Sequence, residues 1–277
     1  MGAIISRFAP APTGFLHLGH VLNALFVWKT ADRVLLRIED HDRQRSRREY
    51  EAAIFEDLDW LGFVADGPPV RQSERGDIYL QALDTLRRQG LVYSCACARS
   101  AIQPPSLPAG TEVAGRDGGS EVRYPGTCRN RGLADAAGVG LRVRLNPSVE
   151  RFVDLRLGPR EQRPFEQCGD LLIRDRDGNW TYQFAATVDD YVQSVTHVIR
   201  GEDLLESTGR QLQLARLLGR GEPPQFLHHP LIMKSRAQKL SKSDGDTGVR
   251  DLRVKGWTPQ QVIRRATELA GELSCDS

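Results

Sequence analysis

The amino-acid sequence predicts an α/β fold with helices on both faces of a doubly wound parallel sheet. Short apolar strands alternate with amphipathic helices over residues 3–90. The segments between these strands are long enough for right-handed strand–helix–strand crossovers. Polar and turn-forming residues follow the first two strands, and ligands bind at this edge of open α/β sheets. The sequence therefore also predicts where a binding site lies.

Five elements make up this first half. Residues 3–8 form a short apolar run that predicts a strand, and apolar side chains at helical spacing predict a helix over 18–31. A second apolar run at 34–38 predicts the next strand. Helical periodicity returns at 50–61 and again at 78–86. The order strand, helix, strand, helix, helix is the basis for predicting a parallel sheet.

The second half is less regular. The runs 171–174 and 180–184 flank Asp177-Gly178-Asn179, and this arrangement predicts a β-hairpin. A strand over 194–200 and a helix around 212–218 are expected to follow.

The last helix has a clear start signal. Thr258-Pro259-Gln260-Gln261 has the form of a capping box with proline at the first helical position. Residues 103–120, in contrast, are rich in Pro and Gly and predict a mobile loop.

Composition limits the classes of function. The chain has 277 residues, 27% charged and 40% hydrophobic, which is typical of a soluble globular protein. No apolar run is long enough to span a membrane, and Arg7 and two prolines interrupt any N-terminal signal core. Five cysteines without an export signal indicate free thiols or metal ligands rather than disulfides. We expect a cytoplasmic monomer with no membrane partner.

The charge balance does not by itself indicate a nucleic-acid partner. The net charge is only +2. Positive charge is concentrated locally at Arg43, Arg45, Arg47 and Arg48. Such a run is either a solvated face or a phosphate contact.

Two motifs predict an ATP site. Residues 10–20 read P-A-P-T-G-F-L-H-L-G-H and place His17 and His20 at the start of a helix. Residues 239–243 read K-L-S-K-S and contribute the ammonium groups of Lys239 and Lys242. Each motif alone could be structural or merely solvated, but together they are typical of a triphosphate clamp.

The clamp suits activation of a carboxylic acid. A carboxylate that attacks the α-phosphorus of ATP meets negative charge. A helix N-terminus with its imidazoles and two lysines would relieve that repulsion. Such catalysis needs positioning and electrostatics, without a protein nucleophile or general base.

Together with R-I-E-D-H-D after the second strand, these motifs resemble the class I aminoacyl-tRNA synthetases, and the glutamyl/glutaminyl branch in particular. The resemblance runs from about Arg7 to Ser243. It implies a Rossmann-like catalytic fold that uses ATP with Mg²⁺. It also implies catalytic roles for His17, His20, Lys239 and Lys242, and ATP contacts for His17, Gly19, His20 and Lys242.

The resemblance also implies an amino-acid pocket, made of Arg7, Phe8, Ala9, Pro10, Ala11, Glu39, Tyr182 and Arg200. A bidentate arginine suits a carboxylate better than an amide, so glutamate is favoured over glutamine. For any one of these charged residues, a surface ion pair at a strand end is the alternative.

Little sequence follows the lysine motif. The segment 244–277 is far shorter than an anticodon-binding region. In this respect the chain resembles the glutamyl-Q tRNA(Asp) synthetases, a truncated branch of the family. That resemblance implies transfer of glutamate from glutamyl-adenylate to queuosine at the wobble position of tRNA(Asp), with the anticodon stem-loop as the docking partner.

Three alternatives stay open. The chain could be an adenylating ligase with another acceptor, or the catalytic fragment of a conventional glutamyl enzyme. A non-catalytic RNA-binding paralogue would be expected to lack His17, His20 or Lys242, and all three are present.

The cysteine pattern allows a metal site. Cys95 and Cys97 in C-x-C would place both thiols on one face of an extended segment, and buried thiols are the alternative. The family resemblance implies one structural zinc ion held by Cys95, Cys97, Tyr124 and Cys128. Tyrosine is an unusual ligand of tetrahedral zinc. Cys168 and Cys275 are expected to lie outside this site.

The predicted domains follow from these assignments. Residues 1–94 and 169–238 are expected to form the two halves of the catalytic domain. Residues 95–168 are expected to form an inserted zinc-containing, acceptor-type subdomain. Residues 239–277 are expected to supply the lysine loop and a short helical stem, with no anticodon-binding domain.

Overall fold

A computed structural model describes residues 2–42, 44–98, 101–102, 122–235, 238–239 and 248–271. The strands, in chain order, are β1 Ile5–Phe8, β2 Arg33–Ile38, β3 Val70–Arg71, β4 Val92–Cys95, β5 Gly140–Val143, β6 Glu150–Asp154, β7 Gly158–Gln162, β8 Leu171–Arg174, β9 His197–Gly201, β10 Gln225–His229, β11 Met233–Ser235 and β12 Gln238–Lys239. The α-helices are α1 Leu18–Thr30, α2 Arg48–Leu61, α3 Gly76–Arg88, α4 Pro164–Cys168, α5 Tyr182–Val192, α6 Thr208–Leu217, α7 Val249–Val254 and α8 Pro259–Ala270.

The chain divides into two compact units. The first unit comprises Met1–Glu74, Val195–Glu202 and Pro224–Ser277, and the second comprises Arg75–Ser194 and Asp203–Pro223. The domain boundaries proposed from the sequence stay a prediction.

The first unit contains the parallel strands that the sequence predicts. β1 pairs with β2 in parallel, from Ile5 opposite Arg33 to Phe8 opposite Leu36. β2 pairs with β3, and β10 with β9, also in parallel. β9 lies beside β1, and the Thr196 N–H donates to the Ile5 carbonyl at 2.9 Å. β1, β2 and β3 therefore form one sheet, and β9, paired with β10, contacts it beside β1.

Helix α1 packs its apolar stripe into the core of this unit. Leu18, Val21, Leu22 and Leu25 are buried at helical spacing, and α1 contacts β1, β9 and α8. Burying each of these side chains stabilises the fold by about 1.5–3 kcal/mol. The packing fixes α1, and with it the histidines at its first turn, against the central strands.

Helix α8 begins where the sequence predicts. The Thr258 Oγ1 accepts from the Gln261 N–H at 3.3 Å, and the Gln261 side chain accepts from the Thr258 N–H at 2.7 Å. Pro259 occupies the first turn, where its missing N–H costs nothing. The predicted capping box is confirmed.

The second unit is built from antiparallel strands and helices. β4, β5 and β8 form one antiparallel sheet, and β6 and β7 form a hairpin. Tyr79 and Leu83 of α3 pack with Phe184 of α5 in the core. The buried Asp189 carboxylate is satisfied there by the Arg75 guanidinium at 2.6 Å and the Tyr79 hydroxyl at 2.8 Å.

The predicted hairpin over 171–184 is wrong in its second strand. Only an isolated bridge joins Arg174 to Trp180, and α5 begins at Tyr182. The Asp175 carboxylate accepts from the N–H groups of Asp177 and Asn179 and closes a tight loop. The aromatic residues suggested a strand, but residues 184–190 of α5 are buried without interruption, and a helix satisfies their backbone groups within the segment.

Smaller differences concern element ends. Ser194 has a left-handed φ of 54°, and β9 starts only at His197. Helix α6 starts at Thr208, before the predicted residue 212. Among the described residues, no helix is long and apolar enough to cross a membrane.

Asp57 on α2 gives a test of the first unit's core. Its side chain is 3% exposed, and Oδ2 has no hydrogen-bond partner among the described residues. Burial raises the pKa of Asp57 from 3.8 to about 6, although Arg253 and Arg250 act in the opposite direction. The folded state therefore holds a proton more tightly than the unfolded chain does, so stability falls as the pH rises from about 4 to about 6.

We expect Asp57→Asn to remove this loss. Relative to the variant, the wild-type protein should lose up to about 3 kcal/mol of unfolding free energy between pH 4 and pH 7.5. Urea denaturation at both pH values measures the difference. Asp59→Asn, at an exposed position on the same helix, is the control and should show no such change. A gap between wild type and Asp57→Asn that does not depend on pH would contradict the prediction.

Candidate active site and metal centre

Two histidines cap the N-terminus of α1. The His17 Nδ1 accepts from the Gly19 N–H at 3.1 Å, and the His20 Nδ1 accepts from the His17 N–H at 3.1 Å. This reciprocal capping box is made by imidazoles, whose ring centroids lie 4.0 Å apart. It satisfies two of the backbone donors that a helix start leaves without intrahelical partners.

The capping assigns the tautomers of both rings. Because each Nδ1 accepts a hydrogen bond, a neutral ring carries its proton on Nε2. Gly19 is required for this geometry, since a Cβ there would lie 2.9 Å from the His17 ring. Two backbone N–H groups at the helix start, those of His17 and Gly19, are therefore bonded to the histidine side chains.

The loop before α1 is bonded to the residues that follow β2. The Glu39 N–H donates to the Pro10 carbonyl and the Arg47 N–H to the Pro12 carbonyl, both at 3.0 Å. These bonds place Glu39 and the loop at the carboxyl end of β2. The site edge expected from the sequence is therefore assembled within the first unit.

A second set of bonds joins the ends of β2 and β3. The Asp40 carboxylate accepts from the Ser73 N–H at 2.8 Å and from its hydroxyl at 2.5 Å. The His41 Nδ1 lies 2.6 Å from the Gln72 Oε1. Neither His41, three residues after β2, nor Gln72, directly after β3, was among the predicted site residues.

Two buried guanidinium groups lie on the central strands. Arg7 of β1 is 4% exposed and donates to the Ile199 carbonyl at 3.2 Å. Arg200 of β9 is 3% exposed and donates from Nε to the His228 Nε2 at 3.0 Å. His228 of β10 was not predicted, and its only sequence signal is the H-H-P end of an apolar strand.

The other predicted site residues are only partly described. Tyr182 is the first residue of α5 and belongs to the second unit. For Lys239 only the backbone in β12 is described, opposite Met233. Lys242, Arg43, Cys275 and the predicted loop 103–120 lie outside the described residues.

Two arginines of the predicted basic run have local partners. Arg45 donates to the Asp42 carboxylate at 2.8 Å, and Arg47 donates to the Gln44 carbonyl at 2.7 Å. Both contacts shape the turn before α2. They agree with the solvated-face alternative for these two residues.

Cys95, Cys97 and Cys128 converge in the second unit. Their sulfur atoms lie within 4.8 Å of one another, with 3.6 Å between the Sγ atoms of Cys97 and Cys128. The Tyr124 hydroxyl lies 3.4 Å from the Cys95 Sγ and 4.0 Å from the Cys97 Sγ. The four predicted ligands are therefore neighbours.

The backbone around Tyr124 is held in place. The Tyr124 N–H donates to the Cys168 carbonyl at 2.9 Å, and the Tyr124 hydroxyl accepts from the Cys128 N–H at 2.8 Å. Gly169 has φ +68°, and a Cβ there would lie 2.3 Å from the Tyr124 carbonyl oxygen. Only glycine permits this approach, which brings Tyr124 to the cysteines.

The donor set fits zinc. Two thiolates bound to one tetrahedral zinc ion have sulfur atoms roughly 3.8 Å apart, from Zn–S bonds of about 2.3 Å. The separation of 3.6 Å between Cys97 and Cys128 is close to that value. With four protein donors such a centre would be closed, which is typical of a structural ion.

The thiols differ in their tendency to ionise. Burial raises the pKa of Cys128, but hydrogen bonds from the Ala96 backbone and the Cys97 side chain outweigh it and lower the pKa to about 7. Burial and hydrogen bonding to Cys128 raise the pKa of Cys97. Burial also raises the pKa of the Tyr124 hydroxyl. Binding of a metal would therefore release protons from the cluster.

Comparisons with known proteins identify the family. A family model of class I tRNA synthetases (E and Q), catalytic domain, matches residues 3–271. The chain belongs to this family. The synthetase is therefore a ligase.

Its relatives carry two names. A glutamyl-Q tRNA(Asp) synthetase from Rhodobacter capsulatus is 39% identical over 94% of this chain and 99% of its own length. A glutamate–tRNA ligase from Oleidesulfovibrio alaskensis is 38% identical over 97% of this chain but only 57% of its own length.

A solved structure agrees on the fold. A glutamate tRNA ligase from Elizabethkingia meningosepticum, in complex with its amino acid, superimposes with a TM-score of 0.76 at 27% identity. The match covers 99% of the synthetase and 65% of that chain. The synthetase therefore has the α/β catalytic fold of class I aminoacyl-tRNA synthetases.

The cysteine cluster makes a direct prediction. We expect purified protein to hold about one zinc ion per chain and Cys128→Ser to lose most of it, because removing one thiolate opens a closed site. Metal analysis after dialysis measures the content. Cys168→Ser is the control: this buried thiol donates to the Pro164 carbonyl instead, and the variant should keep its zinc. Full zinc occupancy in Cys128→Ser would contradict the ligand assignment.

Proposed function

We propose that the synthetase activates L-glutamate with ATP and Mg²⁺ and transfers the glutamyl group to queuosine at the wobble position of tRNA(Asp). The observation that carries this proposal is the match to the Rhodobacter capsulatus protein over 99% of that protein's length. That relative is named glutamyl-Q tRNA(Asp) synthetase. The geometry of the first unit supports the activation step.

In that step the α-carboxylate of glutamate attacks the α-phosphorus of ATP, and the bond to pyrophosphate breaks. His17 and His20 would donate their Nε2–H groups to phosphate oxygens as these gain negative charge. Lys239 and Lys242 would hold the departing pyrophosphate, with ATP contacts completed by Gly19. The capping supports their role, because it holds both imidazoles at the start of α1 with their Nδ1 atoms facing the backbone.

The glutamate pocket is proposed from residues 7–11, Glu39, Tyr182 and Arg200. Glu39 would receive the α-ammonium group. Arg200 would bind the side-chain carboxylate through its guanidinium, which His228 orients by accepting from Nε. A planar fork of donors suits a carboxylate and not an amide, so we propose glutamate rather than glutamine.

In the transfer step a hydroxyl of the queuosine ring would attack the carbonyl carbon of the adenylate, and AMP would leave. The anticodon stem-loop would be recognised by backbone and shape, with the modified base extruded from its stack. We also propose a structural zinc at Cys95, Cys97, Tyr124 and Cys128. A cytoplasmic monomer with the domain layout predicted above completes the proposal.

Charging of a terminal ribose is the second candidate. It is favoured by the relative from Oleidesulfovibrio alaskensis, which is named a glutamate–tRNA ligase and aligns with 97% of this chain. The two candidates share the activation step and differ only in the acceptor.

The acceptor is tested with labelled glutamate, ATP and Mg²⁺ on tRNA from cells that do and do not make queuosine. Label only in the queuosine-containing tRNA supports the proposed transfer, and equal label in both supports terminal charging.

Lys242→Ala should abolish label and pyrophosphate exchange, because the pyrophosphate loses its countercharge. Normal exchange in that variant would refute the role of Lys242.

The pocket is tested by discrimination between amino acids. Arg200→Gln should weaken glutamate-dependent pyrophosphate exchange roughly 10- to 100-fold and reduce the preference over glutamine, because charge-assisted hydrogen bonds are lost. His228→Leu should act in the same direction by a smaller factor. His197→Ala, on the same strand but bonded to the Thr196 hydroxyl, is the control and should keep the preference. Unchanged discrimination in Arg200→Gln would refute the pocket.

A further inference from the structure

Arg142 is a buried arginine that faces two of the proposed metal ligands. It lies on β5 opposite Tyr93 of β4 and is 7% exposed. Its Nε donates to the Cys95 Sγ at 3.3 Å, and its guanidinium carbon lies 3.6 Å from the centroid of the Tyr124 ring. Its Nη1 donates to the Asp170 carbonyl at 2.7 Å.

No carboxylate contacts this guanidinium among the described residues. The nearby Asp170 carboxylate is bonded instead to Arg129 at 2.6 Å, to the Tyr93 hydroxyl at 2.6 Å and to the Leu145 N–H at 3.0 Å. A buried cation without an anion is strongly unfavourable. The groups that can become its anions are the Cys95 thiolate and the Tyr124 phenolate.

Metal binding supplies those anions. Three thiolates and one phenolate around a divalent ion leave two surplus negative charges in a buried site. The guanidinium of Arg142, which contacts two of the ligands, neutralises one of these two charges. The buried charge of Arg142 and the surplus charge of the metal-loaded cluster therefore compensate each other.

Arg142 also positions the ligands. Its guanidinium carbon lies over the Tyr124 ring, while its Nε donates to the Cys95 sulfur. Cys95 is the last residue of β4, and Tyr124 lies on the connection between β4 and β5. One side chain on β5 therefore connects ligands that are distant in sequence. This contact helps to fix the orientation of the Tyr124 ring.

We propose that Arg142 is a positioning residue of the metal centre, which balances the charge of the bound ion's ligands and orients Tyr124 and Cys95. The inference rests on the proposed zinc centre and adds to it a residue outside the ligand set. It predicts an effect on metal affinity that is separate from any effect on aminoacylation.

The first measurement is the zinc content of the wild-type protein. A protein without zinc refutes the metal centre itself, whatever Arg142 does. With zinc present, the dissociation constant and the rate of zinc transfer to a chromophoric chelator are measured for wild type, Arg142→Gln and Arg142→Lys. Loss of an outer contact of this kind typically weakens metal binding 10- to 100-fold.

We expect Arg142→Gln to bind zinc about 10- to 100-fold more weakly and to release it faster, with Arg142→Lys between it and wild type. Arg144→Gln is the matched control. Arg144 lies directly after β5, with its guanidinium carbon 4.8 Å from the centroid of the Tyr93 ring. It donates to the Asn130 side chain and the Arg129 carbonyl rather than to any of the four proposed ligands. Its zinc affinity should stay within about twofold of wild type.

The Tyr124→Phe background separates positioning from a general loss of stability. If Arg142 acts through the tyrosine ligand, Arg142→Gln should have a smaller effect on zinc affinity in Tyr124→Phe than in wild type. Wild-type zinc affinity in folded Arg142→Gln would overturn the inference, and so would an equal loss in Arg144→Gln. Where Arg142→Gln does not fold, wild-type affinity and release rate in Arg142→Lys would overturn it.

Discussion

Burial of guanidinium groups is the constraint on which both candidate sites depend. Arg7 and Arg200 on the central strands of the first unit, and Arg142 in the second, are at most 7% exposed. A buried cation is tolerated only where neighbouring groups compensate its lost hydration. Backbone carbonyls accept from Arg7 and Arg142, and an imidazole accepts from Arg200. These neutral acceptors hold the three arginines in place.

The first unit combines this charge with the start of a helix. Helix α1 is fixed by its apolar stripe against β1 and β9, so its first turn has a defined place relative to Arg7 and Arg200 on the same strands. His17 and His20 then use Nδ1 for capping and keep Nε2 as a donor. The same two side chains thus stabilise the helix start and define the donors it offers. Replacing either one would alter both properties, and loss of activity alone would not separate them.

The sequence predicted much of this arrangement, because some features are local. The helix start at His17 and the capping box at Thr258 depend on residues a few positions apart, so both could be read directly. The segment 180–184 could not, because aromatic residues favour strands locally while packing along the whole of α5 makes it a helix. His228 and Arg142 were missed for another reason. Their importance arises from the pairing of β10 with β9 and of β5 with β4, which no spacing within the chain reveals.

Arg142 and Arg200 differ in the groups with which they are proposed to pair. The groups that Arg142 faces belong to the chain itself, and they become anions when the cysteine and tyrosine protons are replaced by a metal. Its compensation can therefore be permanent, as suits a structural centre. Arg200 donates to His228, and the carboxylate proposed to pair with it arrives with the substrate and leaves with the product. A substrate carboxylate that pairs with a buried guanidinium compensates for hydration that the guanidinium loses on burial. Arginine is thus the proposed residue both for balancing the charge of the metal ligands and for binding the substrate carboxylate. Only the partners on the neighbouring strands distinguish the two roles.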